Sequence, residues 1–167
     1  MKAWSLAAAL LLAAAIPLPV SAKSPAASTP AAAPHFSLPG RGGIVDSDSL
    51  RGKLVLVDFW ASWCGPCQQS FPWMAEMYAR YSGKGFTIVA VNLDKERGLA
   101  EEFLGKHNVA FPVAFDPSGK TAKAYQVWGM PTSFLVGPKG EILSTHMGFD
   151  PKNSAAFEAA IRQGCPQ

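Results

Sequence analysis

The chain is poor in cysteine and in charged residues. Only 3 of its 167 residues are cysteines, and 16% are charged. The lysines and arginines are scattered rather than clustered, and the net charge is only +3, so a nucleic-acid-binding protein is not expected. No internal repeat is present. Because 49% of the residues are hydrophobic, the composition is that of a globular protein.

The chain also lacks an apolar run long enough for a membrane span. Its N-terminal apolar run falls well short of about 20 residues. Lys2 before this run and the small residues Val20–Ala22 after it are typical of a signal peptide. We therefore expect a signal peptide over residues 1–22, cleaved after Ala22, and export to the periplasm. An uncleaved helix anchored in the inner membrane is the alternative. The first cysteine is Cys64, so no cysteine near the cleavage site could carry a lipid anchor.

The remaining chain is predicted to be one domain behind a linker. Residues 23–34 are rich in Ala, Pro and Ser, which favours a flexible linker. Over residues 35–167, buried-strand runs alternate with segments of helical period, in the order hairpin, β, α, β, α, β, α, β, β, α. This alternation predicts an α/β fold in which helices flank a central sheet.

Two cysteines lie at the end of an apolar, β-branched run. Cys64 and Cys67 are separated by Gly65 and Pro66. We place Cys64 at the end of a buried strand and at the N-terminus of the next helix, where unpaired N–H groups and the helix dipole stabilise a thiolate. Gly65 is expected to permit the tight turn, and Pro66 to preorganise the first helical turn. Cys67, one turn deeper, should be less exposed, as a resolving thiol is relative to an attacking one.

The same two thiols are also compatible with a structural disulfide, a copper(I) site or a zinc site. A structural zinc site needs four ligands. Cys165 and the three histidines, His35, His107 and His146, have no spacing that would complete one. We expect no metal and no cofactor, and we interpret the histidines as structural or surface residues. Cys165 is expected in an exposed tail without a catalytic role, with an intermolecular disulfide as the alternative.

Two longer segments make the chain recognisable. VDFWASWCGPC (57–67) and GMPTSFLVGPKGEIL (129–143) together resemble the thioredoxin superfamily. The preceding HFSLPGRGGIVDSDSLRGK (35–53) is similar to the TlpA/ResA branch of exported thiol–disulfide oxidoreductases. The resemblance extends from His35 to about Ile161. It implies a thioredoxin fold, with a mixed sheet, an N-terminal β-hairpin and a strand–helix insertion near residues 92–116.

The resemblance implies a role for each residue around the thiol pair. It makes Cys64 the nucleophile and Cys67 the resolving cysteine. Pro131 matches a cis-proline that faces the pair, although a proline that starts a strand in the trans form is the alternative. The exposed backbone of Met130 could then pair with a substrate chain as an added strand. Trp63 is expected at the surface near Cys64.

Asp58 matches an acid that thioredoxins bury beneath the resolving cysteine. Burial should raise its pKa, so that it can exchange a proton with Cys67. An ordinary acid at a strand edge is the alternative. Thioredoxins usually pair this acid with a lysine on the neighbouring strand, but the matching position here is Ala90. Members of the ResA branch carry a glutamate near the site, and Asp94, Glu96 or neither of them could serve in its place.

The resemblance and the residues between the cysteines indicate a reductase. Gly-Pro is the thioredoxin type, so we expect a potential nearer about −270 mV than about −120 mV. The expected partners are disulfide-containing periplasmic proteins, of the cytochrome c maturation or copper-centre assembly type, and a membrane donor of thiol electrons. Thr132 after the matched proline favours a general reductase, and a monomer is expected. A copper(I)-binding assembly chaperone and a thiol peroxidase are the alternatives, although such a chaperone would have three residues between its cysteines.

Overall fold

The computed structural model describes residues 30–165. The predicted signal peptide and most of the predicted linker lie outside this range. Among the described residues, no helix has the length and apolar character needed to cross a membrane.

Seven strands and four α-helices make up the described part of the chain. The strands are β1 (Ser37–Pro39), β2 (Ile44–Asp46), β3 (Leu54–Trp60), β4 (Phe86–Asn92), β5 (Val113–Phe115), β6 (Thr132–Val136) and β7 (Ile142–Met147). The helices are α1 (Gly65–Tyr81), α2 (Arg97–His107), α3 (Lys120–Ala124) and α4 (Ser154–Gly164). Pro72 lies inside α1, where a proline removes one backbone hydrogen bond of the helix.

The central sheet is mixed, as predicted. Its five strands have the order β5-β4-β3-β6-β7, with β3 parallel to β4 and antiparallel to β6. β1 and β2 form a separate antiparallel hairpin. α2 and β5 are the predicted strand–helix insertion. β3, β4 and β6 are buried along their whole length, which explains why they appear in the sequence as continuous apolar runs.

Alternate residues of β3 belong to two cores on opposite faces of the sheet. Leu56 and Trp60 pack in the core that contains α1, whereas Val57 and Phe59 pack in the core on the other face. Trp60 is completely buried, with its ring centroid 4.7 Å from that of Phe71. Trp60 is therefore a core residue rather than part of a binding surface.

Short segments from the N-terminal part of the described chain cover both edges of the central sheet, β5 and β7. Gly40 forms a bridge with Ala114 of β5. At the opposite edge, Ala33 donates its N–H to the Gly140 carbonyl at 2.8 Å, and the Ala31 carbonyl accepts the N–H of Ile142 in β7 at 2.8 Å. This pairing places residues 31–33 in the fold, ahead of the domain start predicted at residue 35. Covering an edge removes unpaired backbone groups that could pair with other chains.

Candidate active site

The two cysteines form a disulfide at the start of α1. Their sulfurs are 2.07 Å apart and their Cα atoms 5.3 Å apart. Cys64 is the N-cap of α1, and its sulfur accepts the N–H of Cys67 at 3.3 Å. This position exposes the sulfur of Cys64 to the unpaired N–H groups of the helix terminus, as predicted. Cys67 is completely buried and Cys64 is 6% exposed, so the little accessibility that the pair has belongs to Cys64.

The residues between the cysteines differ in importance for the local backbone. Pro66 lies in the first turn of α1, where its fixed φ suits the helix. Gly65 is expected to permit the tight turn, but the backbone at this position does not require a glycine. Gly65 does not have a positive φ, and a Cβ at that position would meet no atom within 4 Å. The turn is made instead by the extended conformation of Cys64, and Gly65 is an ordinary first helical residue.

The loop before β6 has the geometry expected from the resemblance. The Met130–Pro131 peptide bond is cis. The Pro131 carbonyl accepts the N–H of Gly148 at 2.7 Å, and the Thr132 hydroxyl donates to the Gly129 carbonyl at 2.7 Å. Thr132 lies opposite Phe59 in the sheet, so this loop is at the same end of the sheet as the thiol pair.

Asp58 is buried in the middle of the sheet, with only 1% of its surface exposed. It lies between Ala90 of β4 and Ser133 of β6, so the register with Ala90 is as predicted. The Ser133 hydroxyl donates to Oδ1 of Asp58 at 2.5 Å, whereas Oδ2 is buried without a partner in the part of the chain that the structure describes. Burial raises the pKa of Asp58 to about 7, against a smaller opposite effect of the Ser133 hydrogen bond. The strand-edge alternative for Asp58 is therefore excluded.

Asp94 and Glu96 have different environments. Asp94 is buried and accepts the backbone N–H of Ser62 at 2.9 Å and its hydroxyl at 3.0 Å. Its Oδ2 also accepts from the Asn92 side chain at 2.7 Å. Glu96 is exposed at the start of α2. Asp94 thus ties the end of β4 to the loop that leads into Cys64, and Glu96 does not.

Three exposed apolar side chains lie at or near the thiol end of the sheet. Trp63 precedes Cys64 and is 70% exposed, as predicted. Trp128, 87% exposed, is two residues before Met130, and Met147, 67% exposed, pairs with Thr132. We call Trp63, Trp128 and Met147 the apolar rim. Sequence reasoning missed Trp128 and Met147. Trp128 could have been found from the sequence, because it directly precedes the Gly-Met-Pro segment that carries the cis-proline.

The histidines and the third cysteine lie outside the thiol site. Within residues 30–165, only His35, Asp46 and Asp48 are close enough together to suggest a metal site, and they include neither thiol of the pair. His146 stacks on Phe157, with ring centroids 3.9 Å apart. Cys165 is partly buried against the core, whereas the sequence predicts an exposed tail. The difference arises because α4 extends to Gly164 and brings Cys165 with it.

A mixed five-stranded sheet, a Cys-X-X-Cys disulfide at the N-terminus of α1 and a cis-proline before β6 define the class of thioredoxin-fold proteins with a dithiol site. Comparison with known proteins gives the family. The AhpC/TSA family model matches residues 30–145, and the chain belongs to that family.

Its relatives include thiol–disulfide oxidoreductases named ResA. The chain is 39% identical over 116 residues to the ResA of Oceanobacillus iheyensis and 36% identical over 117 residues to that of Bacillus subtilis. These matches cover 66% and 70% of this chain, but only 60% and 65% of the two relatives. A crystal structure described as a thiol:disulfide interchange protein DsbE of Chlorobium tepidum is 50% identical, with a TM-score of 0.80. That match covers 81% of this chain and 96% of the other.

Proposed function

We propose that this protein is an exported reductase of protein disulfides, in which Cys64 attacks and Cys67 resolves. The observation that carries the proposal is the disulfide between an N-cap cysteine and a completely buried cysteine one turn later. A helix N-terminus favours the thiolate needed for attack. The relatives and the solved structure named above, which are called thiol–disulfide oxidoreductases or interchange proteins, support the same chemistry.

The reaction transfers two electrons from the reduced pair to a substrate disulfide. The Cys64 thiolate attacks one substrate sulfur, which forms a mixed disulfide and releases the other substrate sulfur as a thiolate. Asp58 accepts the proton of Cys67. The Cys67 thiolate then attacks the sulfur of Cys64, which breaks the mixed disulfide and releases the second substrate thiol. The Cys64–Cys67 disulfide is the oxidised product of this cycle, and a thiol donor must reduce it again.

The apolar rim and the backbone of Met130 provide a surface for the substrate chain. A polypeptide that presents its disulfide to Cys64 would pass Trp63 and could pair with the Met130 backbone as an added strand. Exposed tryptophans supply much of the binding free energy at protein interfaces. We infer that the substrates are proteins or peptides rather than small disulfides.

The direction of transfer follows from the residues between the cysteines. Gly65 and Pro66 are the thioredoxin type, for which a potential nearer about −270 mV than about −120 mV is expected. A histidine between the cysteines is one way to stabilise the thiolate of a strong oxidant. Neither of the two residues between Cys64 and Cys67 is a histidine. A reductase in an oxidising compartment must be reduced again, so we propose a membrane donor of thiol electrons. We also propose that the protein is a monomer and that its substrates are periplasmic proteins of the cytochrome c maturation or copper-centre assembly type.

The test compares the two cysteine variants. Cys64→Ser should abolish the reduction of insulin disulfides, because the attacking thiolate is lost. Cys67→Ser should accumulate a covalent mixed disulfide, because the resolving thiol is lost. Cys165→Ser is the matched control, and it should reduce insulin at the wild-type rate. If Cys64→Ser retained activity, or if Cys67 were alkylated faster than Cys64, the assignment would be wrong.

A further inference from the structure

A polar row crosses three neighbouring strands on the face that packs against α1. Asp58 of β3 lies opposite Ser133 of β6, and Ser133 lies opposite His146 of β7. Residues opposite one another in a sheet share a face. The same face carries Leu56 and Leu135, which pack in the core with Cys67. Burying a polar side chain in such a face costs free energy unless the side chain is hydrogen-bonded. The hydrogen bonds of each residue in the row therefore decide its role.

The two carboxyl oxygens of Asp58 have different environments. Oδ1 accepts the Ser133 hydroxyl at 2.5 Å, and Oδ2 is buried with no partner among the described residues. On the other side of Asp58, β4 contributes only the methyl group of Ala90. Oδ2 is therefore the oxygen of this carboxyl at which a proton meets no competing donor.

The rest of the row carries no competing charge near neutral pH. His146 is the titratable group that faces Ser133 from β7, and burial lowers its pKa, so it is neutral at pH 7. It stacks on Phe157 of α4, which is apolar. No charged side chain contributes to the protonation of Asp58, which depends on burial and on Ser133. The titratable groups at the start of α1 are the thiols of Cys64 and Cys67, and these do not titrate while they form the disulfide.

We propose that Ser133 is the positioning residue for the acid–base group of the thiol site: it holds Asp58 by Oδ1, so that Oδ2 alone exchanges the proton of Cys67. This inference rests on the proposed function, because it assigns Asp58 the proton of the resolving thiol. The hydroxyl takes the place of a neighbouring lysine as the group that stabilises the carboxylate. A hydroxyl does so without adding a charge to the sheet, and it also fixes the rotation of the carboxyl plane.

The experiment separates the hydroxyl of Ser133 from its volume. Ser133→Ala removes the hydroxyl donor. Ser133→Thr and Ser133→Val introduce side chains of the same shape, but only Thr keeps the hydroxyl. Ser144→Ala is the matched control, because the Ser144 hydroxyl on β7, opposite Leu135, is likewise buried but has no hydrogen-bond partner within residues 30–165. Each variant is oxidised, and the titration of the Asp58 carboxyl is followed by carbon-13 NMR. The decay of a Cys64 mixed disulfide is then measured against pH.

We expect Ser133→Ala and Ser133→Val to raise the Asp58 titration midpoint by about one pH unit, because a hydrogen bond to the charged form is lost. The pH midpoint of mixed-disulfide decay should move upward with it. Ser133→Thr and Ser144→Ala should keep the wild-type midpoints. A Val variant that titrates like the Thr variant would overturn the proposal, and so would a shifted titration with unshifted decay. Failure of the proposed function appears separately, as wild-type protein that does not reduce insulin, because the NMR titration needs no turnover.

Discussion

At the scale of single residues, Asp58 makes the stability of the protein depend on pH. An unfolded aspartate loses its proton near pH 3.9, whereas Asp58 in the folded protein has a pKa of about 7. Between these values the folded state holds a proton that the unfolded chain has lost. The free energy of unfolding therefore falls as the pH rises through this window, and this contribution is constant above it.

Asp58→Asn should remove this pH dependence. In the oxidised protein we expect the variant to gain about 4 kcal/mol of stability relative to wild type between pH 4 and pH 8, because wild type must bury a charge over this range and the variant does not. Urea unfolding at the two pH values measures the difference. In the reduced protein, mixed-disulfide decay should slow by about 10²–10⁴-fold, since a positioned base is lost. The same stability difference at both pH values would contradict the assignment.

Asp94 should support the loop that carries the attacking cysteine. Its carboxylate accepts from Ser62 and Asn92, so Asp94→Ala leaves buried donors without an acceptor. We expect a loss of about 2–4 kcal/mol of stability and slower alkylation of Cys64 in the reduced protein. Glu96→Ala is the control, because Glu96 is exposed and makes no side-chain cap bond. If both variants behaved like wild type, Asp94 would have no positioning role.

At the scale of elements, the N-terminal hairpin depends on close contact with β5. A Cβ on Gly40 would lie 2.7 Å from the Val45 side chain and 2.8 Å from the Val113 carbonyl oxygen. Both distances are shorter than real Cβ contacts. The hairpin can therefore approach the β5 edge only because position 40 has no side chain.

Gly40→Ala should destabilise the fold by about 1–3 kcal/mol, because the hairpin must move away from β5. Gly42→Ala is the matched control, since a Cβ there meets no atom within 4 Å. It should be neutral or slightly stabilising through the unfolded state. The measurement is the melting temperature of both variants in one buffer, and equal values would show that the contact is unimportant.

At the scale of the whole molecule, the apolar rim is formed by segments distant in the sequence. Trp128→Ala should raise the KM for insulin about 5- to 10-fold, because an exposed aromatic contact is lost. The rate with a small disulfide should not change, since the thiol pair is intact. Ile44→Ala on the hairpin is the control for loss of an exposed apolar side chain. An equal loss of activity with both kinds of substrate would mean that Trp128 acts on the fold instead.

Much of the site could be predicted from short stretches of the chain. Cys64, Gly65, Pro66 and Cys67 are contiguous, and their chemistry follows from a strand that runs into a helix. Asp58 is six residues earlier on the same strand, so a correct strand register was enough to place it opposite Ala90. Ser133 could not be found in this way, because its contact with Asp58 depends on the register between β3 and β6. The two residues are 75 positions apart in the sequence, and only the folded sheet brings them together.

The sequence by itself determined the alternation of strands and helices, the thiol pair and the family, because these depend on local periodicity and on contiguous motifs. Only the tertiary structure decided which oxygen of Asp58 is free, which of Asp94 and Glu96 is buried, and that Trp128 and Met147 are exposed near the thiol end. The physical reason is that hydrogen bonds and burial depend on which strands become neighbours. That choice is made by packing of the whole sheet against its helices, and no single segment contains it.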